Sequence, residues 1–317
     1  MSAAPKVLTP TESSTQLKWF AAIVVIAYAA ISLIPIVWIF MTAFKGTATA
    51  ISYPPAVVFE PSLEGFVNLF TTRSRQSAEY LAQLPPPDTW WAEIVRSNDQ
   101  VIAGPSPFFG RFMNSVIIGF GSTFIAIVLG VMAAYAFSRF KVPLADDLLF
   151  FILSTRMMPP VAVAIPIFLM YRALGLSDTH AGMIILYTAV NISLAVWLLK
   201  GFIDEIPREY EEAAMVDGYT RFQAFRKVVL PQAATGIAAT AIFCLILAWN
   251  EYAFALLLTT NRAETAPPFI PNIIGDGGLD WAAVSAGASL FLLPVLIFTL
   301  FLRKHLLRGI TFGAVRK

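Results

Sequence analysis

Six apolar runs of membrane-crossing length divide this chain: Trp19–Met41, Met113–Phe137, Leu148–Tyr171, Ala181–Leu199, Ala233–Thr259 and Ala282–Leu302. A helix needs about 20 predominantly apolar residues to cross the hydrocarbon of a bilayer. The expected fold class is therefore an all-α membrane protein with six transmembrane helices. With 57% apolar and 13% charged residues and a mean hydropathy of +0.71, the composition lies far from that of soluble domains. Only the connection between the first two runs is long enough to hold a body of its own.

Basic residues gather on the side that stays in the cytoplasm. With the N-terminus inside, fourteen of the 22 basic residues fall in the segments on that side, among them Lys18, Arg139, Lys141, Lys200, Arg208 and Arg303. Both termini are thus predicted to be cytoplasmic. The expected layout is a tail at 1–18, a first helix at 19–43 and a periplasmic loop at 44–110 carrying an insert at 73–108. A five-helix core at 111–303 and a tail at 304–317 follow. Charge bias across the membrane explains the net charge of +2 without nucleic acid. The first run is longer than the apolar part of a secretory signal and lacks a clear cleavage site, so it reads as a retained anchor. A single cysteine, Cys244, excludes an intrachain disulfide.

Between the fourth and fifth runs lies a polar island at 202–232. Pro207 suits a first helical turn, Glu209, Glu211 and Glu212 crowd the positive helix end, and Gly218 stops the helix. Thr220 and Gln223 have the form of a capping box, which predicts a second helix running to Pro231. A first helix about 16 Å long cannot span a bilayer. It is a docking surface at the membrane face or inside a partner.

The chain has no phosphate-binding G-x-x-x-x-G-K-[ST] loop and no H-E-x-x-H zinc pair, and His180 and His305 are its two histidines. A self-contained ATPase or metalloenzyme is disfavoured, and no metal site is expected. Energy for any transport must come from another subunit.

Glu212-Ala213-Ala214, Gly218 four residues after Ala214, and Leu230-Pro231 twelve residues after Gly218 resemble the EAA loop of binding-protein-dependent ABC importers. Trp249-Asn250-Glu251-Tyr252, Leu174-Gly175-Leu176 and the C-terminal Arg308-Gly309 add to a likeness to carbohydrate uptake family 1, in particular to its smaller maltose-type permease subunits. The likeness covers nearly everything from Gly110 onward. It departs from many relatives at Thr235, where they carry a second proline, and in the length of the insert.

The resemblance implies a type I ABC importer permease fold (MetI-like) in a bacterial inner membrane, in a chain that is not itself an enzyme. Its expected partners are a second permease, two ATP-binding subunits that hold ATP and Mg, and an extracytoplasmic sugar-binding protein. No cofactor is expected in this chain. Glu211, Glu212, Ala213, Ala214, Asp217, Gly218, Leu230 and Pro231 would couple the ATPase to the membrane helices. Glu211, Glu212 and Asp217 are suited to accept bonds from basic groups on that partner.

For the substrate path the candidates are Arg156, about 13 Å into the hydrocarbon, Pro159 and Pro160 in a broken helix beside it, Asn191, and the group Trp249, Asn250, Glu251 and Tyr252. A pairing of Glu251 with Arg156 is one option; helix packing is the competing role for each of them. Outward-facing contacts to the binding protein are expected at Pro268, Pro271, Gly275 and Gly277 in the loop 261–281, and at Trp90 and Trp91 in the insert. An importer for another polar solute, such as a phosphodiester or amino acid, and a non-transporting scaffold are the alternatives.

Overall fold

The computed structural model describes residues 15–275 and 278–311, with side chains for 16–275 and 278–300. Gly277 and the tails at 1–14 and 312–317 lie outside the described residues. Helix α1 (Thr15–Ala43) is followed by a single turn, α2 (Thr47–Ala50), and by α3 (Glu64–Phe70). The insert is then an antiparallel pair, β1 (Thr71–Arg75) with β2 (Gln100–Pro105), enclosing α4 (Ala78–Gln83) and α5 (Trp90–Arg96).

The core begins with α6 (Phe108–Arg139), whose 32 residues make a rod of about 48 Å. Next come α7 (Ala145–Ser154), a 3-10 turn at Thr155–Met157 and α8 (Pro160–Ala173), then α9 (His180–Asp204) and the short α10 (Glu209–Val216). A turn of helix α11 (Arg221–Ala224), a π turn at Phe225–Val229 and α12 (Leu230–Trp249) follow. The chain closes with α13 (Ala253–Leu258), α14 (Ala266–Phe269), the hairpin β3 (Ile274–Gly275) and β4 (Gly278–Leu279), and α15 (Trp281–Thr311). Among the described residues five of these rods are long and apolar enough to cross a membrane, and α7 with α8, bent by 92°, form an apolar pair with the shape of a broken span or a re-entrant loop.

Two helix ends decide how the broken pair runs. Asn114 near the start of α6 meets His180 at the start of α9, and Ser138 near the end of α6 meets Asp204 at the end of α9. The two helices are therefore parallel, and the chain between them must travel back along their full length. α7 and α8 supply that return. The break falls where Pro159 and Pro160 each lack a backbone N–H, so the helical ladder cannot pass through them.

Small residues set the helix contacts, as expected where lipid offers no hydrophobic drive and packing must supply the attraction. Gly130 lets α6 approach Ala195, and Gly236 lets α12 approach Phe202 so closely that an added Cβ would stand 2.3 Å from the Phe202 Cγ. α1 runs along α15, and its most apolar stretch has no buried residue, leaving it for lipid or another chain to cover.

Two expectations change. The fifth run is a helix only to Trp249, because the chain turns at Asn250 and restarts at Ala253. The helix expected to end at Pro231 instead continues into the long rod Arg221–Trp249, and the π turn at Phe225–Val229 breaks the regular ladder just before the proline that has no N–H to add to it.

Gly236→Ala is expected to cost about 1–3 kcal/mol through overpacking. Gly201→Ala, with no atom within 4 Å of its added Cβ, is expected to be neutral or mildly stabilising. Thermal unfolding in detergent, comparing the two variants with the parent chain, checks both.

Candidate functional site

At one end of the bundle α10 stands outside every crossing. Glu209, Glu211 and Glu212 lie in its first turn, and its exit is a Schellman turn. There Tyr219 N donates to Ala214 O (3.0 Å) and Gly218 N to Met215 O (3.1 Å), with Gly218 at φ +90°. The Thr220–Gln223 capping box is present in both directions, at 3.3 Å and 2.8 Å.

The faces of α10 differ. Glu211 and Ala214 are buried, whereas Tyr210, Glu212, Ala213, Val216 and Asp217 are exposed, joined on the far side of the corner by exposed Tyr219 and Phe222. Glu211 is thus not available to a partner, against the expectation. One of its oxygens pairs with Arg139 Nε, and the other accepts from the Tyr135 hydroxyl at 2.8 Å. Leu230 and Pro231 are part of α12, set off from the exposed face by the π turn.

Further bonds close this end. Ser138 Oγ donates to Asp204 at 2.5 Å, Arg208 donates to Ser138 O at 2.7 Å, and Lys200 pairs with Asp204 at 2.6 Å.

In the middle of the bundle the candidates separate. Arg156 lies in the 3-10 turn, half-buried, with a buried Nη1 that has no hydrogen-bond partner and within electrostatic reach of Cys244. Asn191 is buried and donates from Nδ2 to Cys244 O at 3.1 Å, while its Oδ1 is unpartnered. Asn191 thus touches Cys244 on α12, and Pro159 and Pro160, shortly after Arg156 in the chain, are exposed.

Glu251 does not pair with Arg156. It accepts from the Tyr187 hydroxyl at 2.6 Å and from the N–H groups of Phe254 and Ala255 at 2.8 and 3.1 Å, so it caps α13. Trp249 is 3% exposed, stacked on Phe291 at 4.8 Å and donating to Phe291 O at 3.1 Å. In this conformation its ring is closed to a sugar. Asn250 is exposed with its amide turned back to Ile246 O, and Tyr252 is exposed.

The opposite end carries an anchor that spacing alone did not indicate. Asp178 accepts from the backbone N–H groups of Thr260, Asn261, Arg262 and Ala263 at 2.9 to 3.3 Å. Burial works against its charge, but these four donors hold its carboxyl below the ordinary value. Asn114 donates to Arg262 O and Glu264 O at 2.9 and 2.8 Å, which leaves its oxygen to accept from His180 Nε2 at 2.7 Å. Arg111 pairs with Glu264 at 2.8 Å. The loop after α13 is thereby clamped to the starts of α6 and α9.

Beyond that loop Pro268 is buried, Pro271 is exposed and Gly275 sits in β3. The insert is tied to the same end, since Arg73 pairs with Asp280 at 3.1 Å and Asn68 donates to Asp280 at 2.9 Å, while Asp280 caps α15 through Ala283 N. Exposed Trp90 and Trp91 meet edge to face at 5.6 Å and line a groove of about 300 Å³ with Phe66, Val67, Phe70 and Thr71. No group of three or more potential metal ligands occurs among the described residues.

Known proteins match this arrangement. Residues 126–311 fit the profile of the family described as binding-protein-dependent transport system inner membrane component. The probable ABC transporter permease protein y4oR of Sinorhizobium fredii is 31% identical over 96% of this chain and 98% of its own length. The trehalose transport system permease protein SugB of Mycobacterium tuberculosis is 40% identical over 66% and 77%. The trehalose/maltose transport system permease protein MalG of Thermococcus litoralis is 28% identical over 92% and 94%. A solved chain from a bacterial ABC transporter involved in import of the acidic polysaccharide alginate shares the fold, with a TM-score of 0.66 at 21% identity, covering 93% of this chain and 99% of that one.

Asp178→Ala is expected to release residues 260–263, read as about tenfold faster amide exchange there, since a hydrogen bond to a charged group is worth roughly 1.5 kcal/mol. Because the folded carboxyl lies below the ordinary value, this protection is complete above about pH 4. It is lost as the pH falls through the lowered folded value.

Proposed function

We infer a function from the premise that this chain belongs to the family of binding-protein-dependent transport system inner membrane components. It is the permease subunit of an ABC importer for a carbohydrate, forming half of an alternating-access pathway in a bacterial inner membrane. Relatives named for trehalose, maltose and diacetylchitobiose uptake support the substrate class. The chain is a transport subunit and not a catalytic one.

Its proposed partners are a second permease, two ATP-binding subunits carrying ATP and Mg, and a periplasmic sugar-binding protein. In this reading the α10 end faces the cytoplasm. Consistent with it, the C-terminal end of α1 lies beside the start of α15, where an added Cβ at Gly65 would touch the carbonyls of both Ala43 and Ala282. The start of α1 and the end of α15 then belong to the α10 side.

The observation that carries the reading is α10 itself. It lies outside the membrane-crossing rods, is sharply ended by Gly218, and turns Tyr210, Glu212, Ala213, Val216 and Asp217 outward. Such a helix fits a cleft in an ATPase subunit, with small Ala213 permitting close approach and Glu212 and Asp217 accepting from basic groups. Gly218, Leu230 and Pro231 join it to α12. Trp90, Trp91, Pro271 and Gly275, at the other end, are the proposed contacts of the binding protein. Arg156 and Asn191 are the proposed polar groups of the pathway, since each carries an unpartnered atom at membrane depth.

Reconstitution with the partner subunits tests this. Glu212→Lys and Gly218→Val are each expected to reduce binding-protein-stimulated ATP hydrolysis about tenfold, the worth of one charge-assisted bond or of a residue forced to positive φ. Undiminished hydrolysis in both would show that α10 does not couple. Arg156→Met is expected to change uptake kinetics at unaltered ATPase assembly; unchanged kinetics would reduce Arg156 to packing.

A further inference from the structure

We propose that Glu211 is a positioning residue which fuses α10 to the inner end of α6, so that displacement of α10 reaches α6 directly and reaches α12 only through softer joints. The proposal rests on the reading of α10 as the coupling helix and names the residue that transmits its motion.

The joint is closed on both sides. Glu211 uses one oxygen on Arg139 Nε and the other on the Tyr135 hydroxyl at 2.8 Å. Arg139 uses its remaining nitrogens on Ser138 Oγ at 2.9 Å and Ile206 O at 2.8 Å. The side chains of Glu211 and Arg139 are 7% and 6% exposed. A buried charge pair with its hydrogen-bonding capacity taken up has few alternative arrangements, because each displaced group would be left unpaired away from water. Arg208, donating to Ser138 O at 2.7 Å, holds the link between α9 and α10 against the same turn of α6.

The path from α10 into α12 is of another kind. It passes the left-handed corner at Gly218, with open space around its Cα, and then the π turn at Phe225–Val229, where the regular helical ladder is interrupted. Pro231 follows without an N–H to donate. Phe225 of that turn rests on the Tyr135 ring of α6 at 4.5 Å between centroids, a ring contact rather than a hydrogen bond. A force on α10 therefore meets a fixed connection at α6 and a jointed one at α12.

Sequence spacing separates this residue from the docking face. Glu212 points outward and Glu211 inward, so the two adjacent carboxylates have different tasks.

The complete transporter, with its second permease, ATPase subunits and binding protein in lipid vesicles, provides the test. Glu211→Gln is expected to retain copurification of the ATPase subunits and their ATP hydrolysis, while solute taken up per ATP falls about tenfold, the effect of one lost charge-assisted bond. Tyr135→Phe, which keeps the ion pair, is expected to give a smaller loss. The exchange Glu211→Arg with Arg139→Glu is expected to recover part of the uptake.

A second readout does not depend on uptake. In a Cys244→Ser background, nitroxides at the exposed positions Glu209 on α10, outside the docking face, and Met132 on α6 are expected to keep one separation in nucleotide-free and ATP-trapped complexes. A pair at Glu209 and Leu247 on α12 is expected to change. The proposal is overturned if the α10–α6 separation changes while α10–α12 does not, or if Glu211→Gln leaves uptake per ATP unaltered. Loss of the ATPase subunits from Glu211→Gln, at undiminished membrane levels of the chain, also overturns it by assigning the residue to docking. A parent complex that carried no carbohydrate would overturn the substrate reading, and the separations would still decide the joint.

Discussion

The parallel packing of α6 against α9 constrains everything else in the core. Two neighbouring helices that point the same way oblige the chain between them to recross the bundle, and here about forty residues do so as α7 and α8. A straight return would need an unbroken ladder of backbone bonds, but Pro159 and Pro160 deny it two donors in succession. The result is a 92° bend with Arg156 at its corner. Irregular backbone at membrane depth is tolerated only where protein or water covers it.

Charge is handled differently along the bundle. At both ends carboxylates make the ties: half-buried Asp178 and buried Asp280 at one, exposed Asp204 and buried Glu211 at the other. Asp178, Asp280 and Glu211 each tie a loop or short helix to a long rod, and Asp204 joins the ends of α6 and α9. In the middle, Arg156 Nη1 and Asn191 Oδ1 have no hydrogen-bond partner among the described residues.

Much of the candidate site was legible in advance because its signals are local. The Thr220–Gln223 capping box, the Gly218 stop and the Pro159-Pro160 break depend on residues within a few positions of each other. Glu211 reads from the sequence as a partner contact because Arg139, which it pairs with, lies 72 residues away in a different rod, where spacing shows only a basic bias. Likewise Trp249 and Glu251 looked like a sugar-binding cluster by residue type. Their chemistry is consumed by Phe291 and by the start of α13, contacts fixed by how α12, α13 and α15 converge.

From the sequence alone came the membrane class, five of the long apolar rods, and a short polar helix ended by glycine. These follow from transfer free energies and backbone geometry, which act over one helix length or less. Only the tertiary structure decided which face of that helix is turned inward, that α6 and α9 run parallel, and that Asp178 and Asp280 fasten the far loops. Those choices depend on pairing buried polar groups across the bundle, and a partner many residues away leaves no mark on the spacing of its neighbours.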